Sequence, residues 1–356
     1  MQTNLYSQEK TVKFYGRNSF LIEGTVLSDS LKESPYDRLP FSSKGIVRDE
    51  VWDLSKASAG ISVRFITDSS SIQLKWTVLN DLTMNHMAQT GIKGIDLYFN
   101  NSGVWQYVGT GIPAGKKNEQ VMINNMIKRS REFKLYLPLY DGIESLEIGI
   151  DPNCSIDKPK KDKKSPIVFY GTSITQGGCA SRPGMAYTNI ISRKINRDCI
   201  NYGFSGNGHL EEAIANVITD IDALFYVIEC MPNINKDQVS KNTLPLVKII
   251  RDKNPSTPIV FVENIIFENA YLDKTVEDEL KEKNIELLDQ YKKMVHDGIP
   301  NLFYINQENA IGTDHEGTVD GVHFTDVGFL RYANYLIKNL QQFGILNPND
   351  QNKDAY

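Results

Sequence analysis

An unbroken apolar run, Ile167-Val168-Phe169-Tyr170, starts after Pro166, stops at Gly171-Thr172-Ser173, and opens into a loop carrying Gly177 and Gly178. Continuous apolar runs mark strands buried on both faces, as in parallel sheets covered by helices. Such a strand delivers its last residues to the carboxyl edge of the sheet, where ligands and chemistry gather. Ser173 is therefore the candidate nucleophile, and other residues matter to the extent that they can serve its hydroxyl. The competing reading makes Ser173 a helix N-cap, a common fate of a serine after a strand.

The rhythm on either side of Pro166 differs. After it, strand patterns at 167–171, 199–204, 223–229, 258–264 and 301–306 alternate with helical patterns near 187–196, 210–217, 238–253 and 276–297, and a last helix covers 326–343. That alternation predicts a three-layer α/β/α domain on a mainly parallel sheet of about five strands. Before it, from about residue 11 to 156, short segments at 60–67, 71–78, 94–99, 133–137 and 146–150 alternate apolar and polar residues with period two. Half-buried antiparallel strands in a β-sandwich of jelly-roll type follow from this, with Asn100-Asn-Ser-Gly103 as a hairpin turn. The expected division is a β-sandwich over 1–156, a linker over 157–165, the α/β/α domain over 166–345 and a tail over 346–356. The lysine-rich, Pro-bounded linker reads as a solvated connector. Trp76, Met84, Met87, Tyr98 and Trp105 are assigned to the sandwich core, and the polar segment 80–87 is expected to approach the catalytic face.

The 356 residues are 40% hydrophobic and 23% charged, ordinary for a globular protein, and a net charge of −5 gives no electrostatic reason for a nucleic acid or anionic membrane partner. No apolar run nears the roughly 20 residues that cross a bilayer. The opening Met1–Gln8 lacks the basic and apolar regions of a signal peptide. The compartment stays open: cytoplasm if Met1 is the native start, periplasm or exterior if a leader has been removed. Cys154, Cys179, Cys199 and Cys230 are dispersed and read as free thiols.

Short motifs follow successive strands or precede the last helix: Gly171-Thr-Ser173, Ser205-Gly206-Asn207, Glu229-Cys-Met-Pro-Asn233 and Asp320-Gly-Val-His323. Together they supply what acyl transfer needs. Ser173 offers a hydroxyl, and His323 can take its proton and return it to a leaving group. Asp320 can reach back to the other imidazole nitrogen and fix the tautomer. The backbone N–H groups of Ser173 and Gly206 and the side-chain amide of Asn233 are the candidate donors for a tetrahedral oxyanion.

This set resembles the SGNH/GDSL hydrolase superfamily. Gly171-Thr-Ser173 is similar to its first block, with Thr in place of the commoner Asp; Gly206 sits in a similar Ser-Gly-Asn context; Asp320-x-x-His323 matches its last block. Asn233 follows Glu-Cys-Met-Pro, which departs from the usual Gly-x-Asn-Asp. Gly94-Ile-Asp-Leu-Tyr98 resembles the Gly-x-Asp-Leu-Tyr signature of a β-domain that precedes the hydrolase domain in one branch. The resemblance implies a flavodoxin-like strand order 2-1-3-4-5, a serine esterase acting on small acyl groups, acetyl groups of carbohydrates first among them, and no metal or organic cofactor. An acyltransferase using the same triad is the alternative within the class. A carbohydrate-binding protein with an inactive hydrolase domain is the alternative outside it. Oligomeric state is left open.

Arg182, in the loop after the candidate nucleophile, is a candidate substrate or carboxylate contact, with a surface arginine that pins the loop as the competing reading; Tyr187 is a further substrate-binding candidate, and Glu229 is either a polar wall of the pocket or tied up by backbone donors. Ser205 is a rival nucleophile, but Asn207 breaks the Gly-x-Ser-x-Gly elbow. Cys230 reads as a buried filler, His296 as a helix C-terminal residue, and His209 as a surface residue. His86 and His315 have no partner at metal-ligand spacing.

Overall fold

In the computed structural model, which describes residues 11–347, the chain forms a β-rich N-terminal half and an α/β C-terminal half. The opening Met1–Gln8 and residues 348–356 of the predicted tail lie outside the described residues. Leu346, also assigned to the tail, is buried against the α/β core.

The C-terminal half carries a five-stranded parallel sheet. Its spatial order is Cys199–Gly203, Ile167–Gly171, Phe225–Glu229, Ile259–Val262 and Leu302–Ile305, the implied 2-1-3-4-5. The first three strands are buried along their whole length, as their unbroken apolar pattern requires. Helices Tyr187–Ile195, Glu212–Ile218, Lys236–Lys253, Lys274–His296 and Asp326–Gln342 cover the two faces.

The N-terminal half folds into two antiparallel sheets, of four and six strands, that face each other across a core containing Phe65, Leu74, Trp76, Leu97, Phe133 and Ile148. The Asn100–Gly103 turn closes a hairpin in which Asn101 pairs with Val104. Ser102 and Gly103 take φ values of 55° and 96°, the left-handed pair that a type I′ turn needs. Not all five predicted sandwich residues share its core. Trp76 does; Tyr98 and Trp105 form a separate cluster with Tyr136; Met84 and Met87 pack into the α/β core instead. The segment carrying the two methionines leaves the sandwich, so its apolar residues are buried by the other half.

The two halves share core. Ala59, Ile92, Leu139 and Tyr140 pack with the helices over one face of the parallel sheet, and Leu39, Val51 and Trp52 pack over the other. Polar contacts reinforce this. Asp198 accepts the Gly24 N–H at 2.9 Å, and burial pushes its carboxyl up to about 7. The Arg38 guanidinium, 2% exposed, donates to the carbonyls of Asn201 (3.2 Å) and Gly203 (2.5 Å) on the edge strand and to Leu54 (2.6 Å) and Ala57 (2.9 Å). The outward N–H of Gly203 is satisfied by the Asn201 side chain at 2.8 Å.

Candidate active site

Gly171 pairs with Gly203 on one side and Glu229 on the other, so the segments after these three strands emerge side by side at the carboxyl edge. Ser173 opens the short helix Ser173–Gln176, whose N-cap is Thr172. The cap is therefore the residue before Ser173, and the Ser173 hydroxyl stays available. The chain must cross closely here. A Cβ on Gly171 would meet the Glu229 carbonyl at 2.8 Å, and one on Gly208 would meet the Gly171 carbonyl at 2.4 Å. Gln176, buried beneath, donates to Leu139 O at 3.0 Å and accepts the Ser205 N–H at 3.0 Å, which fixes the loop after the second strand.

His323 approaches from 150 positions along the chain, with Nε2 2.8 Å from Ser173 Oγ. Its Nδ1 lies 2.8 Å from Asp320 Oδ2. The other Asp320 oxygen accepts the backbone N–H groups of Val322 (3.1 Å) and His323 (2.8 Å). One carboxylate thus shapes the turn and orients the imidazole. The base of the turn is closed by Val319 N–H to His323 O at 2.7 Å and by Thr325 N–H to Gly317 O at 3.0 Å. Burial alone would raise the Asp320 pKa; the N–H donors of His323 and Val322 and the imidazole outweigh it and hold the carboxyl below its usual range.

The predicted oxyanion donors share this edge. Gly206 sits in an exposed bend at φ 69°. Asn233 ends the 3-10 turn Met231–Asn233, and its Oδ1 accepts the Gly208 N–H at 3.2 Å. That bond sets the amide orientation and leaves the NH2 group as donor. Arg48, from the N-terminal half, holds the same loop through Asn207 Oδ1 at 2.7 Å and Glu211 at 2.5 Å.

The three substrate-binding candidates are engaged by the protein's own groups: Arg182 makes the carboxylate contact and Glu229 is tied up, by side-chain rather than backbone donors. Arg182 is half-buried and pins its own loop: its guanidinium donates to Asp96 Oδ2 at 2.8 Å and Tyr98 OH at 2.7 Å and stacks 4.0 Å over the Tyr107 ring. The carboxylate it meets is the protein's own, from the Gly94–Tyr98 signature. Tyr187 and Glu229 are 0% and 2% exposed. Tyr187 OH and Thr175 Oγ1 both donate to Glu229 Oε2, the former at 3.2 Å. They form a buried network under the Ser173 helix, and burial pushes the Glu229 carboxyl up to about 7.

Four further residues have defined surroundings. Ser205 Oγ has the Tyr140 hydroxyl as neighbour at 3.4 Å. Cys230 is 1% exposed, and burial raises its thiol well above the usual value. His296 ends its helix, and His209 Nε2 rests 3.1 Å from Gly206 O.

Sequence reasoning missed several neighbours of the site. Tyr140, from the N-terminal half, places its hydroxyl 3.5 Å from Ser173 O. Gly178 is packed so that a Cβ would stand 2.7 Å from that hydroxyl and 3.0 Å from His323 Cδ2. The segment 80–87 does approach. Asp141 accepts the N–H groups of Asn80 and Leu82, each at 2.9 Å, and Thr90 Oγ1 donates to Ser181 O at 2.5 Å. Between these anchors the His86 ring sits 5.8 Å from the His323 ring. Cys179 is buried in the turn after the Ser173–Gln176 helix, and burial, with the Asp320 charge, pushes its thiol up to about 12.

A cleft of about 520 Å³ opens at the ends of the last two strands, lined in part by Phe267, Glu268, Tyr271, Gln307 and His315. The Glu268 N–H donates to Gly321 O at 3.0 Å, fixing the cleft wall to the Asp320–His323 turn. No helix among the described residues is long and apolar enough to cross a membrane.

The fold is a β-rich half joined to a five-stranded parallel α/β half, and comparison with known proteins gives the family. Residues 163–341 match the GDSL-like Lipase/Acylhydrolase family and residues 12–156 match the GxDLY N-terminus of SGNH-hydrolase-type esterases; the chain belongs to this family. A GDSL-like lipase structure from Bacteroides ovatus ATCC 8483 is 34% identical, covers 93% of this chain and 98% of its own, and superposes with a TM-score of 0.89. The salicylyl-acyltransferase SsfX3 from a tetracycline biosynthetic pathway shares the fold at 16% identity, 94% and 98% coverage and a TM-score of 0.76. A family two carbohydrate esterase from Cellvibrio japonicus does so at 11% identity, 95% and 98% coverage and a TM-score of 0.60. No curated protein matches the sequence.

Proposed function

We propose that this protein is a serine esterase that removes small acyl groups, acetyl above all, from carbohydrate esters through an acyl-enzyme on Ser173. The carrying observation is the continuous relay of Ser173 Oγ, His323 and Asp320, with 2.8 Å at each step. His323 Nε2 takes the hydroxyl proton as Ser173 Oγ adds to the ester carbonyl. The oxyanion is held by the N–H groups of Ser173 and Gly206 and by the Asn233 amide. The imidazolium then gives its proton to the departing alkoxide. Water, deprotonated by the same nitrogen, attacks the acyl-enzyme; the carboxylic acid leaves and Ser173 recovers its proton.

The carbohydrate half of this reading draws on the carbohydrate esterases that share the fold. We place the alcohol part toward the cleft that the Glu268–Gly321 bond joins to the Asp320–His323 turn, with Tyr271, 85% exposed, as a ring on which a sugar can stack. A second reading keeps the acyl-enzyme and passes the group to an acceptor alcohol, as the name of the acyltransferase SsfX3 suggests for that relative.

Ser173→Ala should abolish release of p-nitrophenol from p-nitrophenyl acetate with the fold retained by circular dichroism. A fluorophosphonate should add to Ser173 and nowhere else. Wild-type turnover in the alanine variant would remove the basis of both readings. Product analysis with acetylated sugars, with and without added acceptor alcohols, separates hydrolysis from transfer.

A further inference from the structure

The fold gathers a second set of donors around the same imidazole. His86, Cys179, Asp320 and His323 each offer one ligand atom, and these atoms all lie within 4.8 Å of one another. We propose that they form a binding site for a thiophilic divalent metal ion of the zinc class, and that a metal held there switches the site off. Binding stands on the donor geometry alone; the inhibition rests on the esterase reading above.

The donor chemistry selects the ion. Two imidazoles, a thiolate and a carboxylate suit zinc and its neighbours; magnesium and calcium require all-oxygen shells. The thiolate and carboxylate together balance the two positive charges, so the loaded centre is neutral in a partly buried place, where a net charge is costly. A tetrahedral centre with ligand bonds of about 2.0–2.3 Å sets its ligand atoms about 3.3–3.8 Å apart. The widest pair must therefore close by about 1 Å, and the Asp320 Oδ2–His323 Nδ1 pair, now 2.8 Å apart, must open by about 0.5 Å.

His86 can supply that movement. It lies in an irregular stretch, is only partly buried, and its Nδ1 is hydrogen-bonded to its neighbour Asn85 at 3.1 Å. The Cys179 turn is tied by the Gly178 N–H to Ser173 O at 2.7 Å and by Ala180 N–H to Gly177 O at 3.1 Å. The Asp320–His323 turn holds its backbone, and the two side chains separate as the metal replaces the proton between them.

The metal enters where the Asp320–His323 proton now lies. It takes a carboxylate oxygen of Asp320 and the lone pair of His323 Nδ1, because Nε2 faces Ser173. The proton formerly on Nδ1 moves through solvent to Nε2, and the Cys179 thiol loses its proton to water. No electron is exchanged. His323 Nε2, now a donor, can no longer accept the Ser173 proton. The relay is reversed without displacing the nucleophile.

The test is a Co2+ titration of the whole chain, read by thiolate-to-cobalt charge-transfer absorption. Wild type and Ser173→Ala should both develop the band, and Cys179→Ala should not. His86→Ala, on an accessible loop, should weaken Co2+ and Zn2+ binding by at least the roughly 100-fold that loss of an outer-shell partner alone can cost. Zn2+ should inhibit hydrolysis of an acetyl ester and Mg2+ should not. Zn2+ sensitivity should fall in both variants, each measured against its own metal-free rate. A wild-type protein with no thiolate band, or Zn2+ affinity unchanged by both substitutions, overturns the site. A protein that shows the band but hydrolyses no ester would sink the esterase reading and leave the metal site standing.

Discussion

Replacing Glu229 by glutamine should flatten one part of the protein's stability–pH curve. The Glu229 carboxyl is buried under the Ser173 helix, accepting from Thr175 and Tyr187, and burial lifts its pKa from 4.5 to about 7 despite both hydrogen bonds. The sign follows from proton binding. Between about pH 4.5 and 7 the folded state keeps a proton that the unfolded state has released, so stability falls as pH rises through this window. At about 1.4 kcal/mol per unit, the shift from 4.5 to about 7 costs about 3 kcal/mol once pH exceeds the folded value. Glutamine keeps a carbonyl oxygen for Thr175 and Tyr187 and cannot ionise. The variant should match wild type near pH 4.5 and exceed it by about 3 kcal/mol at pH 8. Asp198, also lifted to about 7, contributes equally to both proteins and cancels in the difference. Urea denaturation of the two proteins across pH 4.5–8 reads this directly. Parallel stability curves would show that the carboxyl is not held neutral by burial.

Asn233→Ala should lower kcat on a small acetyl ester by about 100- to 1,000-fold with little change in KM, as loss of one oxyanion donor does; steady-state kinetics check this, and a loss confined to KM would remove Asn233 from the oxyanion hole. Gly178→Ala places a methyl 3.0 Å from His323 Cδ2. It should cut kcat by roughly tenfold to 100-fold through a displaced imidazole, and an unchanged rate would mean that the neighbours yield freely. Arg182→Ala strips the guanidinium from Asp96, whose side chain is 0% exposed. It should cost about 3 kcal/mol of stability while KM for a small ester stays put; a large rise in KM at unchanged stability would restore Arg182 as a substrate contact.

Much of this architecture was legible in the sequence because its signals are local. The strand Ile167–Gly171 and its parallel partners are apolar runs ended by glycine or a polar residue, and period and punctuation suffice to find them. Asp320 and His323 were legible because an aspartate can grip an imidazole three residues on through one turn. Strand Lys117–Ile123 was not foreseen, and Val104–Gly111 was implied only as the return arm of the 100–103 hairpin. Their exposed, polar faces give no clean alternation, and Gly109 and Gly111 break what there is. The surroundings of Arg182, Tyr187 and Glu229 were illegible for another reason. Sequence position puts all three near Ser173, but burial is decided by what the N-terminal half and the helices lay over them. Asp96 and Tyr98 claim Arg182 from about 85 positions away, and no spacing rule reaches that far. The same holds for His86 and Cys179, which meet only because Asp141 and Ser181 pin the ends of a long loop.

The Arg38 guanidinium lies against the outermost strand of the parallel sheet, plugging the carbonyls of Asn201 and Gly203. A bare strand at that position is a template onto which another chain could add. Severing the polypeptide at the lysine-rich connector would uncork that row of acceptors and strip the apolar face once covered by Val51 and Trp52. The C-terminal half expressed by itself should therefore polymerise or precipitate, and cannot be shuffled into other proteins as a free-standing cassette.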